Sequence, residues 1–220
     1  MGQSNFARSF APAMVCAAVV ASSAAVAEEY RGVLINMVPH VEAKPGFDGE
    51  ACAAMVLERM GTKLDQDFVF DQSGVDPAFG RGCSMAELKL AMERIGFVVG
   101  QVWYALSPDR PRDDLDTQFS ALHSDLSNGV PSIVRMRKDL DGDEKRFRLL
   151  LGYDDDRDEV IYHEPQERSG AFNRMKREEL LKLWPIRQGD TMLVARMPLR
   201  SDDDLNFVGP SSEVSNADYE

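Results

Sequence analysis

Two segments set the strongest limits on how this chain can fold. The first, Phe47-Asp48-Gly49-Glu50-Ala51-Cys52-Ala53-Ala54-Met55-Val56-Leu57, runs from a loop into a helix. Its periodic apolar positions Cys52, Met55, Val56 and Met60 fall on one face, so Cys52 is expected to point into the core. The second, Arg146-Phe147-Arg148-Leu149-Leu150-Leu151-Gly152-Tyr153-Asp154, reads as a buried strand ending in a turn. It is followed by Ile161-Tyr162-His163-Glu164-Pro165. A one-faced helix and an apolar strand must bury their apolar surfaces against other elements around a shared core.

The other elements follow from periodicity and punctuation. Residues 32–37 read as a short strand, and Pro39 and Pro45 bound an extended loop. Asp48 stands where a helix N-cap is expected, and Gly61 stops that helix after Met60. A short helix is expected over 64–70. Ser84-Met85-Ala86-Glu87 has the form of a capping box that opens a third helix through Leu88, Leu90, Ala91 and Ile95, ended by Gly96. Residues 97–105 read as a strand. Residues 113–128 read as a helix with Leu115, Phe119, Leu122 and Leu126 on one stripe. Strands are expected at 132–137, 147–153, 159–163 and 192–196, with a helix at 176–183 between the last two. Trp103 and Trp184 read as core aromatics. Helices first and an antiparallel sheet afterwards make an α+β domain.

The two ends differ from the middle. Arg8, the apolar run 11–19 and Ala24-Ala25-Val26-Ala27 have the form of a cleavable signal peptide over 1–27, with an uncleaved anchor as the alternative. The expected product is an exported, secreted or periplasmic protein with one domain over 28–200. Residues 201–220 are acidic and poor in apolar side chains, as in a disordered tail. Export leaves open whether Cys52 and Cys83 pair or are two small buried hydrophobes.

A formal charge of −12 argues against nucleic acid and against anionic membrane surfaces, since both demand a basic patch. No membrane contact beyond the signal peptide is expected. Asp139-Leu140-Asp141-Gly142-Asp143-Glu144 alternates acids, but its Gly and Glu miss the calcium-loop spacing, so it reads as a hairpin turn. No metal or other cofactor is implied.

The order and spacing of the two opening segments resemble the C39-like cysteine peptidases, a branch of the papain-like fold. Gly80-Arg81-Gly82 and Gly129-Val130-Pro131 extend the resemblance across the domain. The resemblance implies a helical N-terminal half packed on an antiparallel sheet. It also implies a nucleophilic Cys at the helix start, a His opening the strand and an acid before Pro. Here those positions read Asp48, Arg146 and Glu164, while Gly49, Ala51 and Cys52 match the family pattern. The family's oxyanion Gln belongs near residues 41–44, where Glu42 and Ala43 stand and neither is an amide.

Thiolate–imidazolium chemistry therefore lacks both partners, although Asp48 and Arg146 keep the signs of the two charges. The expectation is a carboxylate–guanidinium pair between Asp48 and Arg146. The alternatives are a plain N-cap for Asp48 and a surface pair with Glu144, Asp143 or Asp141 for Arg146. Functionally, the chain reads as a non-catalytic peptide- or protein-binding pseudopeptidase, with Asp48, Arg146 and Glu164 as binding residues. Two other readings remain open. One is a working cysteine peptidase or other hydrolase using Cys52 or the Asp48/Glu164 carboxylates. The other is a structural or envelope-associated domain whose acidic tail makes the contacts.

Overall fold

The computed structural model describes residues 30–200. The expected signal peptide over 1–27 and the acidic tail over 201–220 lie outside the described residues.

The first half is mainly helical. After β1 (Val33–Leu34), a glycine turn at Gly46 delivers the chain into α1 (Asp48–Arg59). α2 (Gln66–Ser73) starts where the Asp65 side chain accepts a hydrogen bond from Phe68 N–H, and Gly74 ends it in the left-handed conformation. A 3-10 turn (Pro77–Phe79) precedes α3 (Met85–Ile95), which carries the capping box read from Ser84 and Glu87. α4 (Pro111–Ser127) takes its proline at the first helical turn, where no N–H is needed.

The second half is a sheet of β2 (Trp103–Ala105), β3 (Ser132–Arg137), β4 (Lys145–Asp154), β5 (Glu159–His163), β6 (Asn173–Lys176), β7 (Ile186–Gln188) and β8 (Thr191–Pro198), with α5 (Arg177–Leu183) between β6 and β7. The strand order is β2-β8-β3-β4-β5-β6, with β1 on β4 and β7 on β8, and each pairing is antiparallel. The fold is α+β.

Three expectations need correction. The strand expected over 97–105 shrinks to β2, because Val98 meets only Arg200 as an isolated bridge. β6 and β7 were not foreseen: their sequences, NRMK and IRQ, are too short and too charged to show an apolar alternation. Asp48 is not the N-cap of α1. Phe47 holds that position with no side-chain cap bond, and Asp48 is the first helical residue.

Two contacts fix the halves against each other. Gly49 lets α1 approach β4 and α3: a Cβ there would lie 3.0 Å from Leu88 Cδ2 and 3.3 Å from Phe147 Cδ2. Asp125 of α4, buried, accepts from Arg196 of β8 and, at 2.5 Å, from Arg200. Trp184 is fully buried, and its indole N–H donates to the Ala195 carbonyl.

Candidate functional site

α1 begins beside the start of β4, and its first residue reaches across. One carboxylate oxygen of Asp48 accepts the Phe147 backbone N–H at 2.8 Å. Alternation along β4 then sends Phe147 one way and its neighbours Arg146 and Arg148 the other. The Phe147 ring packs by Gly49. The two guanidinium groups converge instead on Glu164, just past β5.

Glu164 is 1% exposed and its carboxylate is fully engaged. Arg148 Nε donates to Oε2 at 2.7 Å, Gln166 N–H donates to Oε1 at 3.3 Å, and Arg146 Nη1 lies 4.0 Å from Oε1. Arg148 is itself buried, lies over the Tyr162 ring and donates to the carbonyls of Arg137 and Lys138. Arg146 makes its shorter pair with Glu144, Nε to Oε1 at 3.0 Å.

The expected Asp48–Arg146 ion pair does not form. Asp48 meets the main chain of β4 between the two arginines, while both arginine side chains leave from the other face. The pairing of Arg146 with Glu144 is the surface alternative weighed above, with Glu164 behind it. The buried ion pair of the site belongs to Arg148, a position the family resemblance does not mark. Its signal was present in the sequence: an arginine inside an apolar strand must find an anion.

The loop bearing residues 41–44 comes to the same place. Ala43 N–H donates to the Pro165 carbonyl at 2.7 Å, and His40 Nε2 lies 3.0 Å from the Glu164 carbonyl. A side-chain amide does stand here, supplied by Gln66. It donates to the Glu42 carbonyl and accepts from Lys44 N–H, so both its ends are spent on the main chain. His163, the residue before Glu164, is buried with one ring nitrogen 3.0 Å from the Val38 carbonyl and the other accepting Phe172 N–H. Burial holds its pKa below the usual histidine value.

Burial also sets the state of the acids and thiols. It raises the Asp48 carboxyl above its usual value, against the lowering effect of the Phe147 N–H, and the Glu164 charge pushes in the same upward direction. Glu50, wholly buried two residues on, is raised by burial too. Its Oε1 accepts Cys83 N–H at 2.6 Å, and its Oε2 has no partner. Cys52 is 0% exposed, one helical turn past Asp48. Burial, then the charges of Asp48, Glu164 and Glu50, push its thiol well above the ordinary value. Cys52 and Cys83 are both free thiols, and burial raises Cys83 to about 12. The site thus presents carboxylates and guanidinium groups, with no thiolate–imidazole pair assembled among the described residues.

Beside Asp48 lies a cleft of about 600 Å³ whose lining includes Gly46, Asp48, Gly82, Lys145 and Phe147. Elsewhere, the carboxylates of Asp154, Asp155 and Asp156 lie within 4.8 Å of one another at an exposed turn, with Asp154 paired to Arg174. In the 139–144 hairpin, Asp139 Oδ1 accepts the N–H groups of Asp141 and Gly142, a turn motif.

Solved structures of similar shape exist. One is the peptidase domain of Streptococcus ComA, a bi-functional ABC transporter involved in a quorum-sensing pathway. It is 16% identical with a TM-score of 0.48, and the match covers 78% of this chain and 99% of that one. Another is a double glycine motif protease from an AMS/PCAT transporter, solved in complex with the leader peptide. It is 15% identical with a TM-score of 0.45, covering 77% of this chain and 99% of that one. The likeness is to peptidase domains. At these values it says nothing of activity or substrate. No family model matches the chain, and no curated protein matches it in sequence.

Proposed function

We propose that this chain is a non-catalytic member of the C39-like peptidase fold, exported by its N-terminal segment, that binds a peptide or protein segment at the cleft beside Asp48; Arg146 and Glu164, the other two expected binding residues, do not line that cleft. The observation that carries the reading is what stands at the start of α1. A carboxylate fastened to the Phe147 N–H occupies the place a thiolate would need, and the nearest thiol, Cys52, is sealed in the core. A cleft remains open beside that carboxylate, so the geometry favours holding a segment over cutting one.

The competing reading is a hydrolase using Cys52 or the Asp48/Glu164 pair. Cys52 lacks access, and Glu164 is saturated by Arg148, Arg146 and Gln166. The test is a thiol-directed alkylating probe. It is expected to leave Cys52 of the unaltered protein unlabelled and to label the Asp48→Cys variant, whose new thiol would open on the cleft. Labelling of Cys52 in the native protein, or a folded Asp48→Cys variant inert to the probe, would overturn the reading.

A further inference from the structure

The cleft beside Asp48 is electrostatically unlike the rest of the molecule. It runs on into a second depression of about 340 Å³ whose lining includes Trp103, Ile186 and Arg187, and Ser84, Arg135 and Lys145 line both. Strand register explains the floor. Trp103 pairs with Ala195, Ala195 with Arg135, and Arg135 with Phe147, so one row of side chains crosses β2, β8, β3 and β4 on one face. Trp103 and Arg135, on either side of the buried Ala195 in that row, both line the second depression, so the two depressions join into one trough.

The charges along this trough are positive in a chain of net charge −12. Arg135 lies over the Phe147 ring at 5.5 Å, which orients its guanidinium, and its Nε is buried without a hydrogen-bond partner. Lys145 donates, among the described residues, only to the Asp143 carbonyl. Among the described residues no carboxylate lies within 4.0 Å of Arg135, Lys145 or Arg187, although acids outnumber bases 37 to 25 over the chain. Arg81, at the other end, is neutralised by Glu87. The one acid in the lining, Asp48, is tied to the main chain.

Resting on the peptide-binding reading above, we infer that this trough recognises an acidic peptide segment, its carboxylates paired with Arg135, Lys145 and Arg187 and its apolar side chains set against Trp103, Phe147 and Ile186. A planar, pre-oriented guanidinium suits a carboxylate bidentately. A polyanion such as nucleic acid would be repelled by the acidic surface around the trough, whereas a short segment with a few carboxylates fits within it.

The experiment measures binding of three short fluorescent peptides to the full chain by anisotropy. All three carry the same leucines, alternating with Glu, Gln or Lys. The Glu peptide is expected to bind about tenfold more tightly than the Gln peptide, as one charge-assisted contact supplies, and to lose that advantage as salt rises. The surface variant Lys145→Gln/Arg187→Gln should erase most of the preference, and Arg135→Gln the rest. Equal affinity for the Glu and Gln peptides, or a preference for Lys, overturns the inference and leaves peptide binding standing. A preference untouched by the variants overturns the placement. Failure of all three peptides to bind overturns the peptide-binding reading itself.

Discussion

Arg148 and Glu164 show most directly how single residues are constrained here. Both are buried, and each satisfies the other. Glu164→Ala would strand a guanidinium in the core and should cost about 3–5 kcal/mol, whereas Arg148→Met/Glu164→Leu removes both charges and should cost far less. Urea denaturation of the single and double variants, read as a double-mutant cycle, checks both. Glu50 is a second such residue. Its folded-state pKa is raised, so the folded protein binds its proton more tightly than the unfolded chain does. Its contribution to stability is therefore present below the unfolded value and is lost as pH rises through the folded one. Glu50→Gln should gain stability relative to the unaltered protein between pH 4.5 and neutrality, and the gain should vanish in acid. Denaturation midpoints across that range measure it.

At the scale of elements, much of the fold was legible and the contacts at the site were less so. The capping box at Ser84, the strands over 132–137 and 159–163, and the glycine stops are local signals that tertiary structure had no reason to override. β6 and β7 left no such signal because their pairing is made by β5 and β8, not by their own composition. The site failed in a similar way. Position in a motif brought Asp48, Arg146 and Glu164 to one region, but which face each side chain takes depends on strand alternation and on helix phase. A shift from N-cap to first helical residue turned an expected ion pair into a bond to a backbone N–H. Gly82 tests how the loop against α1 is held. A Cβ there would collide with the Gly46 carbonyl oxygen and press on Glu50 Oε1 at 2.8 Å. Gly82→Ala should therefore destabilise by about 1–3 kcal/mol, the usual cost of overpacking. It should also weaken peptide binding, because the loop it displaces is a wall of the cleft.

Across the whole molecule, the α+β frame places its charges in the arrangement on which the proposal of holding rather than cutting rests. Helices and sheet meet along β4, and the cleft opens where they meet, with Asp48 as the one acid in its lining. Composition alone points away from nucleic acid and anionic membrane surfaces. The cleft is a local reversal that only strand register could reveal, since Trp103, Arg135, Phe147 and Arg187 are scattered through the sequence. The most direct test of the account is to incubate the full chain with a mixed peptide library and identify both bound and free peptides by mass spectrometry. The account predicts that a subset is retained and recovered intact, with no new termini in either fraction. New termini that disappear in the Cys52→Ala variant would contradict it.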